Sequence, residues 1–313
     1  MARVFEFVKA AQRSPEWFEL RKDGITATDA VVIAGLSPYK TRYELWAQKS
    51  GLIQEQPAGE AATRGILLEQ AVADWYTLET GRKLKRSNGI VRRIDIPWAM
   101  ASLDRTVVGE PGLVEVKTST SSRWQLYPVP PEYVAQVQWQ AFCTGAPWVD
   151  VVALLGGLKF RCERVTADPE YQQELYRKAV EFRELIASGK PPEVIGTDSD
   201  TLAKVVPQAS DEWAHADDGI ERVAEQYADA LYESKLADEH LQNLAVVLKE
   251  AIGDKVGITG RGWYASWKQN KPSRKVDFKA ALEAAKVSQE IIESATQEVP
   301  GARVFKFKKD AAG

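Results

Sequence analysis

The spacing of apolar residues along this chain changes several times, and each change marks an element. Ser14-Pro15 reads as an N-cap followed by a helix start, and Gly24 as that helix's end. Thr26 or Thr28 caps the next helix. From Arg64 to Tyr76, Ile66/Leu67, Val72/Ala73 and Tyr76 recur at helical intervals and predict an amphipathic helix with Glu69 near its apolar face. The period then shortens. Strands are expected between Gly89 and Lys117, notably Trp98–Leu103 and Leu113–Lys117, joined through a turn at Val108–Gly112. A helix from Glu132 to Thr144 starts after Pro130-Pro131 and stops at Gly145. Strands at Trp148–Leu155 and Lys159–Val165 and a helix from Pro169 to Ser188 follow.

Helices, strands and helices in that order predict an α/β domain over residues 1–189, with a core sheet flanked by helices. Residues 190–216 read as a linker, opening on Lys190-Pro-Pro-Glu and carrying Gly196-Thr-Asp-Ser-Asp. In residues 217–313, Ile220, Val223, Tyr227, Leu231, Leu241, Leu244, Val247/Leu248 and Ile252 predict one long amphipathic helix or a helical hairpin, a C-terminal arm that packs on the first domain or serves self-association or a partner. Lys255–Lys268 alternates around a Gly turn, as a small β-hairpin does. Its Trp263, Tyr264, Trp267 and Lys268, with Lys271, Arg274 and Lys275, suit either a hairpin with one buried face, the reading preferred here, or contact with single-stranded DNA. A last helix is expected near Phe278–Ala295 and a last strand at Arg303–Lys308.

The charged residues inside the predicted sheet carry the chemistry. In a strand, residues i and i+2 face the same way, so Glu115 and Lys117 project together, and the turn after Val107 would bring Asp104 alongside them. Two carboxylates can hold a divalent cation through oxygen, and an adjacent ammonium can orient a water. The plain alternative is an edge strand with a solvated Glu/Lys pair. On the following helix Tyr133, Gln136 and Gln140 form one polar stripe, which is either a solvated face or the wall of a site. Near the N-terminus, a helix start with the hydroxyls of Thr26 and Thr28 and a nearby Arg21 can hold an anion, or is simply a capped helix.

Composition narrows the options. Two cysteines, Cys143 and Cys162, are too few for a disulfide framework or a four-cysteine iron–sulfur cluster, and His215 and His240 lie outside the motifs. A bound metal would therefore be hard and oxygen-liganded, Mg²⁺ or Mn²⁺. No apolar run is long enough to span a membrane and the first residues lack a secretory stretch, so a cytoplasmic protein is expected. The net charge of −3 looks unfavourable for DNA, but residues 1–165 carry 21 basic and 18 acidic side chains, or +3, and residues 166–313 carry 20 and 26, or −6. Arg82–Arg86 and Arg92-Arg93 concentrate the positive charge into a local phosphate track.

Five blocks in order resemble one family: Trp17…Leu20-Arg21…Thr26-Ala27-Thr28; Gly35-Leu-Ser-Pro-Tyr39…Tyr43-Glu-Leu-Trp46; Arg64-Gly65…Leu68-Glu69; Asp104…Glu115-Val116-Lys117; and Tyr133-Val-Ala-Gln136-Val-Gln138. The family is the YqaJ-like viral recombinases, the phage-type exonucleases that include lambda exonuclease, within the PD-(D/E)xK nuclease superfamily. The resemblance covers roughly residues 14–185 and implies a restriction-endonuclease-like core. It implies metal ligation by Asp104, Glu115 and the Val116 carbonyl, with Glu69 completing the shell of a second metal. By the same resemblance Lys117 positions or activates the attacking water, Gln136 supports it, and Tyr133 contacts the DNA end. Arg21 and Thr28, with Thr26 beside them, would hold a 5′-terminal phosphate. The Pro and Gly that often flank the core Asp are Leu103 and Arg105 here, and Arg105 could add a phosphate contact.

The implied activity is a Mg²⁺-dependent 5′→3′ exonuclease acting on one strand of duplex DNA from an end. Its single strand would pass to an annealing protein or recombinase, and a DNA-enclosing homotrimer is implied by the resemblance alone. The rival readings are an endonuclease on the same core and a DNA-end-binding recombination protein without catalysis.

Overall fold

The computed structural model describes residues 4–10, 14–55, 59–270, 277 and 282–296. The strand expected at Arg303–Lys308, most of the start of the helix near Phe278, and Lys271, Arg274 and Lys275 lie outside the described residues. The chain divides into two compact units, 1–207 and 208–313.

In the first unit a five-stranded mixed sheet has the order β2-β5-β6-β7-β8: Leu84–Arg86, Arg105–Val107, Leu113–Ser119, Trp148–Leu155 and Lys159–Thr166. Strands β6 and β7 are parallel, and the other neighbours are antiparallel. The parallel pair requires a crossover, which is supplied by helix α6 (Pro131–Thr144). A second, three-stranded antiparallel sheet joins β1 (Phe5–Lys9), β3 (Gly89–Arg93) and β4 (Met100–Ser102) in the order β1-β3-β4.

The helices of this unit are α1 (Pro15–Lys22), α2 (Ala27–Ile33), α3 (Arg42–Lys49), α4 (Glu60–Thr80), the short α5 (Arg123–Leu126), α6, α7 (Pro169–Ser188) and α8 (Ser199–Val205). The strand period of two divides the residues of β6 and β7 between two layers. Val114 and Val152 join Val72 and Tyr76 of α4 on one face, whereas Leu113, Val149, Val151 and Ala153 join the larger core around α2, α6 and α7. Trp139 and Phe182, both fully buried, fill that core. The Trp139 indole N–H donates to the carbonyls of Met100 (3.0 Å) and Ile25 (3.2 Å), tying α6 to β4 and to the turn before α2.

Two local expectations change. Val72, Ala73 and Tyr76 are buried, but Ile66 and Leu67 are 37% and 76% exposed, so the apolar face of α4 meets the sheet only over its second half. Of the span expected as a linker, residues 199–205 form α8, which packs against α3; Asp198 before it accepts from the Thr41 hydroxyl.

In the second unit α9 runs unbroken from Asp218 to Ile252, with the Asp217 carboxylate accepting from Ile220 N at 2.9 Å as its cap. The helical-hairpin alternative does not occur. Strands β9 (Gly257–Gly260) and β10 (Trp263–Ser266) form the hairpin, and α10 spans Gln289–Ala295. Gly262 in the turn has φ +79°, a left-handed conformation that favours glycine. The hairpin does not bury its aromatic face: Trp263, Tyr264 and Trp267 are all exposed. Among the described residues no helix is long and apolar enough to cross a membrane.

Candidate active site

Strand β6 ends its buried stretch with charge. Leu113, Val114 and Glu115 are buried, and the side chains of Glu115 and Lys117 turn to the same face, where Lys117 Nζ donates to Glu115 Oε1 at 2.6 Å. Helix α6 crosses that face. Gln136 Nε2 donates to the same Oε1 (2.6 Å), and Gln136 Oε1 accepts from Lys117 Nζ (2.9 Å). Gln140, one turn on, donates to Glu115 Oε2 (2.7 Å) and to the Ser102 carbonyl (3.1 Å). A carboxylate that is only 4% exposed thus keeps both oxygens hydrogen-bonded. The stripe is therefore not a solvated face: Gln136 and Gln140 are buried against Glu115.

The turn at Val108–Gly112 closes the β5–β6 hairpin and swings Asp104 across to β6, where its Oδ2 accepts from Val116 N at 2.8 Å. Burial pushes the Asp104 carboxyl up, and the neighbouring Glu115 charge pushes it further, against the pull of Lys117 and the Val116 N–H. Burial opposes the charge on Lys117, but the Glu115 and Asp104 carboxylates outweigh it and raise the ammonium pKa. The Tyr133 ring lies 4.9 Å from Lys117 Nζ, and burial raises its phenol. Lys117 is therefore a fixed cation and Tyr133 a neutral phenol.

Glu69 acts on Asp104 through its charge, and both line one cleft of about 370 Å³. Its Oε1, however, accepts from Arg105 Nη1 and lies 3.9 Å from Arg86. Arg105 corrects the expectation of a phosphate contact. It is 3% exposed, and it donates to Glu69, to the Asp104 carbonyl (2.8 Å) and to Gln70 (3.0 Å). A buried guanidinium needs a counter-charge, and Glu69 is the one at hand. Among the described residues no three His, Cys, Asp or Glu side chains stand close enough to share one metal ion. The structure thus brings Asp104, Glu115, Lys117 and Gln136 together with Tyr133 beside them, and holds Glu69 in a separate ion pair.

At the α1–α2 corner, Thr26 corrects a second expectation. It is 2% exposed and caps α2, with its Oγ1 accepting from Asp29 N (3.3 Å) and its N–H donating to Asp29 Oδ2 (2.9 Å). Thr28 is exposed, and its hydroxyl lies 3.1 Å from that of Thr26. Arg21 lies over the Trp17 ring at 4.2 Å, and its buried Nε has no hydrogen-bond partner. Below them Lys49 Nζ bonds Asp29 (2.8 Å) and the carbonyls of Arg21 and Gly24. Burial raises the Asp29 carboxyl, but Lys49 and Arg21 more than reverse this and hold it at about 2.

The sequence places Gln140 in the polar stripe without giving it a role of its own, and it does not point to the Lys49–Asp29 pair. The pair carries no local signal, because two oppositely charged residues 20 apart are common in a chain that is 27% charged.

Two kinds of relative match this chain. Over 189 residues it is 31% identical to the uncharacterized protein YqaJ of Bacillus subtilis (strain 168); the match covers 58% of this chain and spans only 59% of that protein. Among solved structures, an alkaline exonuclease (LHK-Exo) from Laribacter hongkongensis aligns with TM-score 0.48 and 25% identity over 56% of this chain and 94% of its own. LHK-Exo in complex with dAMP aligns with TM-score 0.49 and 23% identity over 62% and 98%. Residues 16–147 match the family model of the YqaJ-like viral recombinase domain, a stretch that holds every site residue from Arg21 to Gln140. That stretch, residues 16–147, is what this chain has in common with the YqaJ-like viral recombinase domain.

Proposed function

We propose that this chain is a divalent-metal-dependent DNA exonuclease with a PD-(D/E)xK core, removing nucleotides 5′→3′ from one strand of a duplex end. The observation that carries the reading is the Asp104–Glu115–Lys117–Gln136 cluster beside an open cleft. Its donor set fits a hard cation: two carboxylates face one another so closely that the charge of one raises the pKa of the other. Asp104, Glu115 and the Val116 carbonyl would hold Mg²⁺ or Mn²⁺. Glu69 joins a second metal's shell only if it releases Arg105. When bound, the metal supplies Lewis-acid polarisation of the phosphate and a more acidic water.

The chain's own residues do the rest. Lys117 Nζ, kept charged, donates hydrogen bonds that orient a water or a phosphate oxygen. Gln136 and Gln140 fix the Glu115 carboxylate so that its oxygens stay in place through the reaction. Tyr133 offers a neutral phenol to the DNA end. Arg21 and Thr28 would hold the 5′-phosphate, a role supported by the unpartnered Arg21 Nε. A homotrimer and an annealing or recombinase partner belong to the same proposal, and sedimentation with and without duplex DNA addresses the first.

The test uses Mg²⁺ with linear duplex bearing 5′-phosphate or 5′-hydroxyl ends, beside closed circular duplex, with Asp104→Ala in parallel. Loss of linear DNA alone, faster with the 5′-phosphate and absent in the variant, is the expected result. Cutting of circles shifts the assignment to an endonuclease. No metal-dependent loss of any substrate leaves a DNA-end-binding protein without catalysis.

A further inference from the structure

A second and larger cleft, of about 540 Å³, opens beside the one that holds Glu69 and Asp104. It lies between two sheet edges. One is β1 of the three-stranded sheet, the other β2 of the five-stranded sheet. On β1 the period of two sends Phe5, Phe7 and Lys9 to the same side, and all three line the cleft. Lys85 and Arg86 of β2 line it as well. Apolar Val91 and Leu103 also line it.

Three properties of this cleft belong together. The first is an aromatic surface that is open and fixed. Phe7 is 44% exposed, yet its ring packs so closely on β3 that a Cβ added at Gly89 would stand 2.6 Å from it. The missing Cβ lets the outer edge of the ring approach the strand, while much of the side chain stays in solvent. The second is charge. Lys9, Lys85 and Arg86 are exposed cations, and the one acidic residue of the lining, Glu110, is already paired with Arg82 at 2.9 Å. The third is continuity. Arg86, Ser87, Asn88 and Leu103 line both clefts, so the residues that bound the carboxylate site on one side bound this cleft on the other.

We infer that this cleft binds single-stranded DNA, with a base stacked on Phe7 and the backbone phosphates on Lys9 and Lys85. Stacking on a fixed ring and phosphate contacts to flanking lysines are the two parts of sequence-independent single-strand binding. That the strand is the one left single by digestion rests on the nuclease reading above; the chemistry of the cleft does not. Arg86, shared between the clefts and 3.9 Å from Glu69, marks where a strand would pass from one to the other.

The experiment measures fluorescence anisotropy of a labelled short oligo(dT) with the full chain in EDTA, so that nothing is cleaved, over a range of salt. Phe7→Leu keeps an apolar side chain on Gly89 but removes the stacking surface, and Phe7→Trp restores one. The expected result is about a tenfold loss of affinity in Phe7→Leu and recovery in Phe7→Trp. Lys9→Ala and Lys85→Ala should each reduce the slope of log affinity against log salt by about 0.7. Thermal melting of each variant checks that it is folded. Binding that none of these substitutions changes overturns the proposal, and so does the absence of oligo(dT) binding, even if the cleft captures an acidic peptide. Duplex degradation is assayed separately with Mg²⁺. Degradation without oligonucleotide binding removes the cleft assignment and keeps the nuclease; Phe7-dependent binding without degradation does the reverse.

Discussion

Helices α6 and α9 invert the usual relation between polarity and burial. In α6 three glutamines, at 136, 138 and 140, are each less than a tenth exposed. In α9 Ile220, Leu241 and Val247 are each more than half exposed. Amphipathic spacing identifies both as helices, since the period depends on backbone geometry alone. What differs is the cost of each arrangement. A buried amide must find partners or lose about 1–3 kcal/mol, so the glutamines of α6 are present because Glu115, Ser102 and Thr166 supply them. An exposed leucine forgoes burial but strands no polar group. Buried polar residues are therefore the stronger indicator of a site, and exposed apolar ones say little by themselves.

The sharpest way to break this contrast is at Glu115. Glu115→Ala removes the acceptor that Lys117, Gln136 and Gln140 share, and degradation of 5′-phosphorylated linear duplex should fall by about 1000-fold or more in initial rate. A variant within tenfold of the parent would mean that the glutamines surround a structural anion. Gln140→Leu is milder. It leaves Glu115 Oε2 without its side-chain donor while Gln136 still holds Oε1, so the rate at saturating DNA should drop about 10- to 100-fold with little change in KM. A change confined to KM would make Gln140 a DNA contact.

The buried Asp29–Lys49 pair extends the rule from hydrogen bonds to charge. Asp29 titrates near 2 in the folded chain against 3.8 as its ordinary value. A depressed carboxylate stabilises above the unfolded value and loses that contribution as pH falls through the folded one. About 2 kcal/mol should disappear between pH 4 and pH 2. Urea unfolding of the parent and of Asp29→Asn at pH 6, 4 and 3 should show their difference shrinking as the pH drops; a constant difference would remove the ion pair as its source. The smallest effect belongs to α9. Leu241 is 63% exposed, and Leu241→Gln should alter unfolding free energy by less than about 0.5 kcal/mol. A larger loss would show that this face is covered.

How much of this was readable beforehand depends on how far the deciding contact lies along the chain. Glu115 and Lys117 share a face because of strand period, and the Val108–Gly112 turn brings Asp104 to them across a short hairpin, so sequence spacing sufficed. Helix α6 was bounded by Pro131 and Gly145 and needed nothing distant. Arg105 is not legible in this way because its burial is decided elsewhere, from α4, 35 residues upstream, whereas Thr26 takes the local one of its two readings, the cap of α2. Ile66 and Leu67 obey the helical period, but the sheet they were expected to meet does not reach the first half of α4. No local signal encodes where a sheet ends.

The indole of Trp139 has a dynamic consequence. Its single N–H is shared by two carbonyls, one on β4 and one before α2, while its ring fills the centre of the core. Segments that open locally are those with few buried contacts. The stretch of α6 that carries Gln136 and Gln140 cannot unwind without drawing Trp139 out, so its amides should exchange with deuterium only through unfolding of the whole first unit. The first half of α4, with Leu67 in solvent, should exchange orders of magnitude sooner. The carboxylate cluster would then last as long as the fold itself, anchored by an indole whose N–H is bonded to two backbone carbonyls.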